Sequence, residues 1–231
     1  MSNINEKAGA GESINNFIQK NRKPVFIGLG VFAAVFAGFV VSLSVADALE
    51  KRAINAAEEF GRRFDALRFN INEESSAADV EALLRDLNDF APKNSGYAGG
   101  RAWGLIGAIH ADKKEWADAE KAYTSAANTA SRTYLGAISW FNAAVAAEEQ
   151  GKLPEAVEFY QKSLSSSGAF PAAPRAQFSI GRLKEAGNDR DAALEAYRAV
   201  ISGWPYDTVW TNLAHSKIIA LETAAPGRPA E

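Results

Sequence analysis

A repeat of 37 residues constrains the fold of this chain more than any other feature. A large aromatic residue, a small residue and a second aromatic residue recur at this spacing, as Trp103, Ala119 and Tyr123, then Trp140, Ala156 and Tyr160, then Ala193 and Tyr197. A fixed period of this size is typical of stacked helical hairpins, in which each unit packs only against its neighbours. We therefore expect an all-α solenoid rather than a single closed core.

The middle unit indicates how each hairpin is built. Residues 140–160 predict two short helices joined at Gly151. A small residue at Ala156 allows the two helices to approach closely, and each aromatic side chain buries on the order of 150–250 Å² in the space that remains. Trp140, Ala156 and Tyr160 are therefore expected to stabilise the fold and not to bind a ligand.

This pattern resembles the tetratricopeptide repeat (TPR), whose consensus is W-x2-L-G-x2-Y…A-x3-F…P. The matching residues are Trp103, Ile106, Gly107, Ala119 and Tyr123 in the first repeat, Trp140, Ala156 and Tyr160 in the second, and Ile180, Gly181, Ala193, Tyr197 and Pro205 in the third. The resemblance covers about residues 100–205. The family's usual period is about 34 residues, so additional residues are expected between repeats, around 129–136 and 165–171.

Less regular helices are expected at both ends of the array. Residues 77–90 predict an amphipathic helix in a degenerate hairpin, with Val80, Leu83, Leu84, Leu87 and Phe90 facing inward. Residues 207–221 predict a helix that caps the last hairpin, as a solenoid requires. Its inward residues are Trp210, Leu213, Ala214, Ile218 and Leu221, and its outward residues are Asn212, His215 and Glu222.

An uncharged run over residues 25–45 predicts a transmembrane helix. As a helix it would extend about 31 Å, close to the roughly 30 Å thickness of the bilayer hydrocarbon. A cleaved signal peptide is the alternative, because Ala46-Asp47-Ala48 offers a small-x-small cleavage site. The run is longer than the apolar core of a signal peptide, which favours an uncleaved anchor and a lipid bilayer as one partner of the chain.

Basic residues predict the orientation of this anchor. Lys20, Arg22 and Lys23 form a tight cluster before the apolar run. Positive charge is retained on the cytoplasmic side, so we expect the N-terminus inside and the repeats on the periplasmic, outer side of the cytoplasmic membrane. Gly30, Ala34 and Gly38 share one face of the helix in a small-xxx-small pattern, which suggests association between copies as a possible homo-oligomer.

The predicted domain organisation follows from these segments. A polar tail over 1–24 precedes the transmembrane helix at 25–45, a stalk helix at 46–69, the TPR-like domain at 70–223 and a disordered tail at 224–231. The stalk carries one apolar stripe, formed by Leu49, Ala53, Ala56, Phe60, Phe64 and Leu67. This stripe is short and rich in Ala, so it favours packing on the following helix over a coiled coil.

Composition argues against several functions. The net charge of -3 offers no basic face for nucleic acid, and the absence of Cys removes thiolate chemistry. The two His residues are far apart in the sequence, and no motif for a nucleophile or a phosphate is present. We therefore expect no catalytic residue, no metal site and no cofactor, so the chain is not expected to be an enzyme.

The TPR resemblance implies a groove lined by the first helix of each hairpin, where peptides or partner helices bind. By position, the predicted groove residues are Arg101, Leu105, Phe141, Asn142, Val145, Glu149, Arg175, Phe178 and Arg182. Phe141 and Phe178 are the sharpest candidates for exposed anchors, and packing between repeats is the alternative for both. Gly104 and Ala108 occupy the places of the Lys and Asn that clamp a C-terminal carboxylate in some members, so such a clamp is not expected.

The whole layout resembles bacterial inner-membrane TPR proteins that associate with the Sec translocon. That resemblance implies a scaffold or chaperone-like adaptor for newly translocated envelope proteins. A structural envelope component that assembles through its repeats and anchor is the alternative.

Overall fold

The computed structural model describes residues 15, 17–69, 73–166 and 170–223, and these residues contain helices but no strand. The all-α class is therefore confirmed for the described chain. The chain divides into two compact units, Met1–Arg52 and Ala53–Glu231. Most of the predicted N-terminal tail and the whole tail at 224–231 lie outside the described residues.

Helix α1 (Arg22–Phe69) is long and begins with the apolar run. Pro24 lies in its first turn, where a missing backbone N–H costs no helical hydrogen bond. The hydroxyls of Ser42 and Ser44 donate to the backbone oxygens of Phe39 and Val40, so the polar groups of the run are satisfied within the helix. The predicted long apolar helix near the N-terminus is present.

The second unit consists of the remainder of α1 and a series of shorter helices. These are α2 (Glu73–Phe90), a 3-10 turn (Ala91–Lys93), α3 (Gly96–Asp112), α4 (Trp116–Thr129), α5 (Tyr134–Glu149), α6 (Leu153–Ser165), α7 (Ala173–Ala186), α8 (Arg190–Gly203) and α9 (Thr208–Thr223). The pairs α3–α4, α5–α6 and α7–α8 are the three predicted hairpins, and each helix from α3 onward packs on the next. The connections between hairpins fall where the additional residues were predicted.

The turn inside each hairpin uses the same backbone conformation. Lys114, Gly151 and Asn188 have φ of 61°, 74° and 59°, and they are spaced by the 37-residue period. Gly and Asn adopt this left-handed region readily, whereas Lys does so at a cost. The first hairpin therefore carries strain that the other two avoid.

Close approach within the hairpins explains the two glycines of the repeat. A Cβ added to Gly107 would lie 2.6 Å from the Tyr123 ring, and one added to Gly181 would lie 2.6 Å from the Tyr197 ring. The small residues of the second helices, Ala119, Ala156 and Ala193, are fully buried. The close approach of the two helices that Ala156 predicted is present.

The end of α1 closes the first part of the core. Phe64 packs with Leu83 and Leu87 of α2 and with Leu105 and Ile109 of α3. Phe60, Phe64 and Leu67 of the stalk stripe thus pack on the following helices within this unit, as the sequence favoured, whereas Leu49 is 58% exposed.

The capping helix α9 differs from its prediction at one position. Ala214 is buried, and Trp210, Ile218 and Leu221 pack against the cluster around Tyr197. Leu213 was expected to face inward, but it is 44% exposed. It lies at the edge of the apolar stripe, about 100° around the helix from Ala214, so α8 does not cover it.

Candidate functional site

The first helices of the hairpins line two cavities in the second unit. The N-terminal cavity, of about 270 Å³, contains Arg101, Leu105 and Asn142 among its lining residues. The C-terminal cavity, of about 280 Å³, is lined by Val145, Glu148, Glu149, Tyr160, Arg175, Phe178, Ser179, Arg182 and Trp210. Eight of the nine residues predicted from the TPR resemblance therefore line one cavity or the other, and Phe141 lines neither.

Phe141 belongs to the core and not to the surface. Its side chain is 7% exposed and contacts the rings of Tyr160 and Phe170 edge-on, with centroids 5.3 and 6.2 Å apart. The Arg175 guanidinium covers it, 5.2 Å from the ring centroid. The expectation of an exposed anchor at Phe141 is replaced by its alternative, packing between repeats, because α6 and α7 enclose the ring.

Two further predicted residues contribute less surface than expected. Leu105 is 3% exposed and belongs to the core beneath the N-terminal cavity. Phe178 is half-buried, and its ring lies 5.2 Å from that of Tyr197 and 5.4 Å from that of Trp210. One part of the Phe178 side chain therefore lines the cavity while the rest stabilises the packing of α7 against α8 and α9.

Trp210 is a lining residue that the sequence analysis assigned only to the core. It is half-buried and lies at the start of α9, where it completes the wall beside Phe178. The TPR resemblance ended at about residue 205, so no repeat position drew attention to it. A bulky aromatic residue in the first turn after the last repeat was the available signal.

A polar ladder connects successive repeats next to the C-terminal cavity. The Tyr160 hydroxyl donates to Glu148 at 2.7 Å, and Arg182 of the following repeat donates to the same carboxylate. One repeat later the Tyr197 hydroxyl donates to Glu185 at 2.7 Å, and Lys217 of α9 donates to that carboxylate.

Burial, together with the bond to the carboxylate, raises the pKa of both tyrosines well above the ordinary value. Both hydroxyls therefore remain neutral donors at physiological pH. The two glutamates therefore join neighbouring helices, and Glu148 is not a free carboxylate.

The N-terminal cavity has a different charge arrangement. Arg101 lies 3.7 Å from a carboxylate oxygen of Glu58, and Arg68 lies 3.2 Å from one of Asp112. Both arginines therefore face an acidic partner within the chain. Small residues form part of the cavity lining, namely Gly100, Gly104 and Ala108.

One group of possible metal ligands occurs in the turn of the first hairpin. The possible ligand atoms of His110, Glu115 and Asp118 lie within 4.8 Å of one another. The sequence did not indicate this group, because the two His residues of the chain are far apart. The His110 Nδ1 atom lies 2.6 Å from a Glu115 oxygen. Asp118 occupies the first turn of α4, where the helix dipole stabilises an anion. These contacts give each residue a structural role.

The hairpins, their common turn and the face formed by the first helices define an α-helical repeat protein of the solenoid class. TPR family models match residues 100–167 and 175–205, which correspond to α3–α6 and α7–α8. A TPR repeat-containing protein of Treponema pallidum (strain Nichols) is 32% identical over 226 residues, covering 90% of this chain and 92% of the relative. The chain belongs to the tetratricopeptide repeat family, whose members generally act as non-enzymatic protein-interaction scaffolds.

Proposed function

We propose that this chain is a membrane-anchored TPR adaptor, a scaffold or chaperone-like protein for envelope proteins at the translocon. The observation that carries the proposal is the C-terminal cavity, which gathers Val145, Glu149, Arg175, Phe178 and Arg182 from two successive repeats. These five residues were selected by repeat position alone, and their convergence supports a groove for a protein segment. The lining combines the apolar Val145 and Phe178 with the charged Glu149, Arg175 and Arg182, so it offers both apolar and polar contacts to such a segment.

The proposed anchor is the part of α1 at residues 25–45. An 18-residue window of this helix has a mean hydropathy of 2.4, and none of that window is buried against other parts of the described chain. The large side chains from Phe26 to Val45 are exposed. Exposed apolar surface on this scale is stabilised in lipid, because removing it from water is favourable by about 25 cal/mol per Å².

The domain organisation proposed for this adaptor is the one read from the sequence. A tail at 1–24 and the N-terminus lie on the cytoplasmic side, the stalk at 46–69 follows the anchor, and the TPR domain at 70–223 is periplasmic. Single Cys residues at Asn3 and Glu195 of this Cys-free chain test that orientation in intact cells. A membrane-impermeant maleimide should label E195C and leave N3C unlabelled, and the opposite result would reverse the proposed orientation.

A photocrosslinking amino acid at Glu149 tests the adaptor function. Glu149 is exposed and lines the C-terminal cavity, whereas Lys121 is exposed on the second helix of the first hairpin and is the matched control. We expect position 149 of the full chain in membranes to crosslink to other envelope proteins, and position 121 to give few such products. Equal products from both positions would reject the groove as the binding surface.

A structural envelope component that self-assembles is the second candidate. Gly30 and Gly38 have no atom within 4 Å of an added Cβ, so their face of α1 is open to a close helix–helix contact. This candidate predicts that crosslinks from position 149 join only copies of the chain.

A further inference from the structure

A third cavity, the inter-repeat cavity, has a volume of about 470 Å³ and is lined by residues of α6, α7 and α8. It shares no lining residue with the N-terminal or the C-terminal cavity. Gln177, Ile180 and Lys184 line it, and their spacings of three and four residues place them on one face of α7. The volume lies above the roughly 300 Å³ at which ligand pockets begin.

In the middle hairpin, three stacked side chains occupy the corresponding repeat positions. Trp140 stacks on Phe159, with ring centroids 5.4 Å apart and planes inclined by 30°. The Lys162 ammonium lies 4.8 Å from the centroid of the Trp140 ring, a cation–π geometry. One residue of the first helix and two of the second helix therefore fill this part of the middle hairpin.

The third hairpin has a smaller side chain at each of these three positions. The 37-residue period places Gln177, Ala196 and Ala199 there. All three line the inter-repeat cavity. Two aromatic rings and a long basic side chain are thus replaced by one amide and two methyl groups, and the space that the middle hairpin fills is left open.

The neighbouring parts of the chain do not close this space. The Gln177 Nε2 atom donates to the backbone oxygen of Ala196 at 3.2 Å, which holds the amide against α8. Helix α9 packs around Tyr197, and no described residue of α9 lines the cavity. Glu195 lines the cavity and is exposed, so a ligand can enter from solvent.

The lining favours an uncharged ligand. Lys184 and Glu195 are the only charged residues among those described at the cavity, and their charges are opposite. Leu164, Ile180 and the lining alanines supply apolar surface. An aromatic side chain suits such a site, because it buries on the order of 150–250 Å² without bringing a charge.

We propose that the inter-repeat cavity binds an aromatic side chain of a partner protein, in the place that Trp140 and Phe159 fill one repeat earlier. The bound ring packs between Gln177 of α7 and Ala196 of α8. This inference rests on the proposed function as a protein-interaction adaptor. It adds a second contact surface, on a different face of α7 from the one that lines the C-terminal cavity.

A selection from random dodecapeptides displayed on phage tests the inference. The baits are the full chain in lipid nanodiscs as wild type, as the filled variant Gln177→Trp with Ala196→Phe, and as Lys121→Trp. The filled variant restores the two rings of the middle hairpin, whereas Lys121→Trp adds an indole at an exposed position outside all three cavities. We expect wild type and Lys121→Trp to enrich peptides with an aromatic residue that the filled variant does not enrich.

The most enriched of these peptides is then measured against each bait by fluorescence anisotropy. We expect Lys121→Trp to bind it as wild type does. The filled variant should bind it at least about thirtyfold more weakly, which corresponds to about 2 kcal/mol, the loss that defines an interface hot spot. Thermal unfolding shows whether the filled variant is folded. If it is not, Gln177→Trp alone replaces it, because both preceding hairpins carry Trp at this position.

The outcomes separate this inference from the proposed function. Enriched peptides without an aromatic preference, or equal binding by wild type and the filled variant, would overturn the inference and leave the adaptor function standing. A failure of every bait to enrich any peptide would reject both.

Discussion

The two cavities occupy the same face of the repeat unit but differ in what they leave available. In the N-terminal cavity Arg101 and Arg68 face acidic partners, and the floor is small around Gly104. The C-terminal cavity includes the aromatic residues Phe178 and Trp210, and its Arg175 has no acidic partner among the described residues. One scaffold therefore contains a region whose arginines are paired within the chain and a region suited to a ligand. The difference arises from side chains that the repeat pattern does not specify.

The largest effect is expected where the C-terminal cavity rests on the core. Phe141→Ala should lower the free energy of unfolding by about 3–5 kcal/mol, because a buried aromatic side chain leaves a cavity behind. Asn142→Ala is the control on the next residue, which is half-buried and lines the N-terminal cavity. Urea denaturation followed by circular dichroism measures both. A loss below 1 kcal/mol for Phe141→Ala would show that Phe141 is not part of the core, and it would contradict this description of the C-terminal cavity.

Alkaline pH should affect the wall of the N-terminal cavity through Tyr123. Burial raises the pKa of Tyr123 to about 12, so its ring is more easily ionised in the unfolded chain than in the folded one. The stabilisation is complete below about pH 10, the unfolded value, and is lost as the pH rises towards 12. Over that range we expect wild type to lose about 2–3 kcal/mol more stability than Tyr123→Phe.

Stability curves from pH 9 to pH 12 measure this difference. Tyr206→Phe is the matched control, because Tyr206 is 96% exposed and lacks the burial that acts on Tyr123. Parallel curves for wild type and Tyr123→Phe would show that the ring is hydrated in solution.

Two glycine substitutions should have opposite signs. Gly181→Ala places a methyl group 2.6 Å from the Tyr197 ring, and we expect a net loss of about 1–2 kcal/mol after the gain in helix propensity. Gly104→Ala meets no atom within 4 Å, so it should stabilise α3 by up to about 1 kcal/mol. Differential scanning calorimetry of the pair measures both changes. Equal effects would mean that α7 and α8 are not as closely packed as described.

The smallest expected effect separates the turns of the first and second hairpins. Lys114→Gly should stabilise the chain by up to about 1 kcal/mol, because glycine adopts φ near 61° without strain. Gly151→Ala should cost a similar amount at φ of 74°. Thermal melts of the two variants should shift in opposite directions, and a loss of stability in Lys114→Gly would indicate a further role for the lysine side chain.

Predictions from the repeat pattern were correct where one close contact or one backbone conformation determines which residue types fit. Gly107 and Gly181 lie against tyrosine rings, where an added Cβ would be 2.6 Å away, and Gly151 adopts the left-handed turn conformation that Gly and Asn favour. Predictions about exposure were less successful. Phe141 was expected to be exposed and is buried, whereas Leu213 was expected to face inward and is 44% exposed. The burial of such a side chain depends on how closely the neighbouring helices cover it.

The candidate site was predictable in position but not in chemistry. Repeat register alone selected eight residues that line the two cavities. It missed Trp210, which lies beyond the last repeat, and it did not indicate which charges find partners. Glu148 and Glu149 are adjacent in sequence, yet one is compensated by Arg182 and Tyr160 and the other is exposed.

The sequence by itself determined the helical repeat, its period, the anchor-like run and the set of residues on the face of the first helices. Each of these depends on local periodicity or on a contact within one hairpin, which a linear pattern records. Only the tertiary structure decided that Phe141 is enclosed, that Arg175 covers it, and that the arginines of the N-terminal cavity have acidic partners. Most of those contacts join residues of different repeats or of α1, and their distances are set by the packing of whole helices.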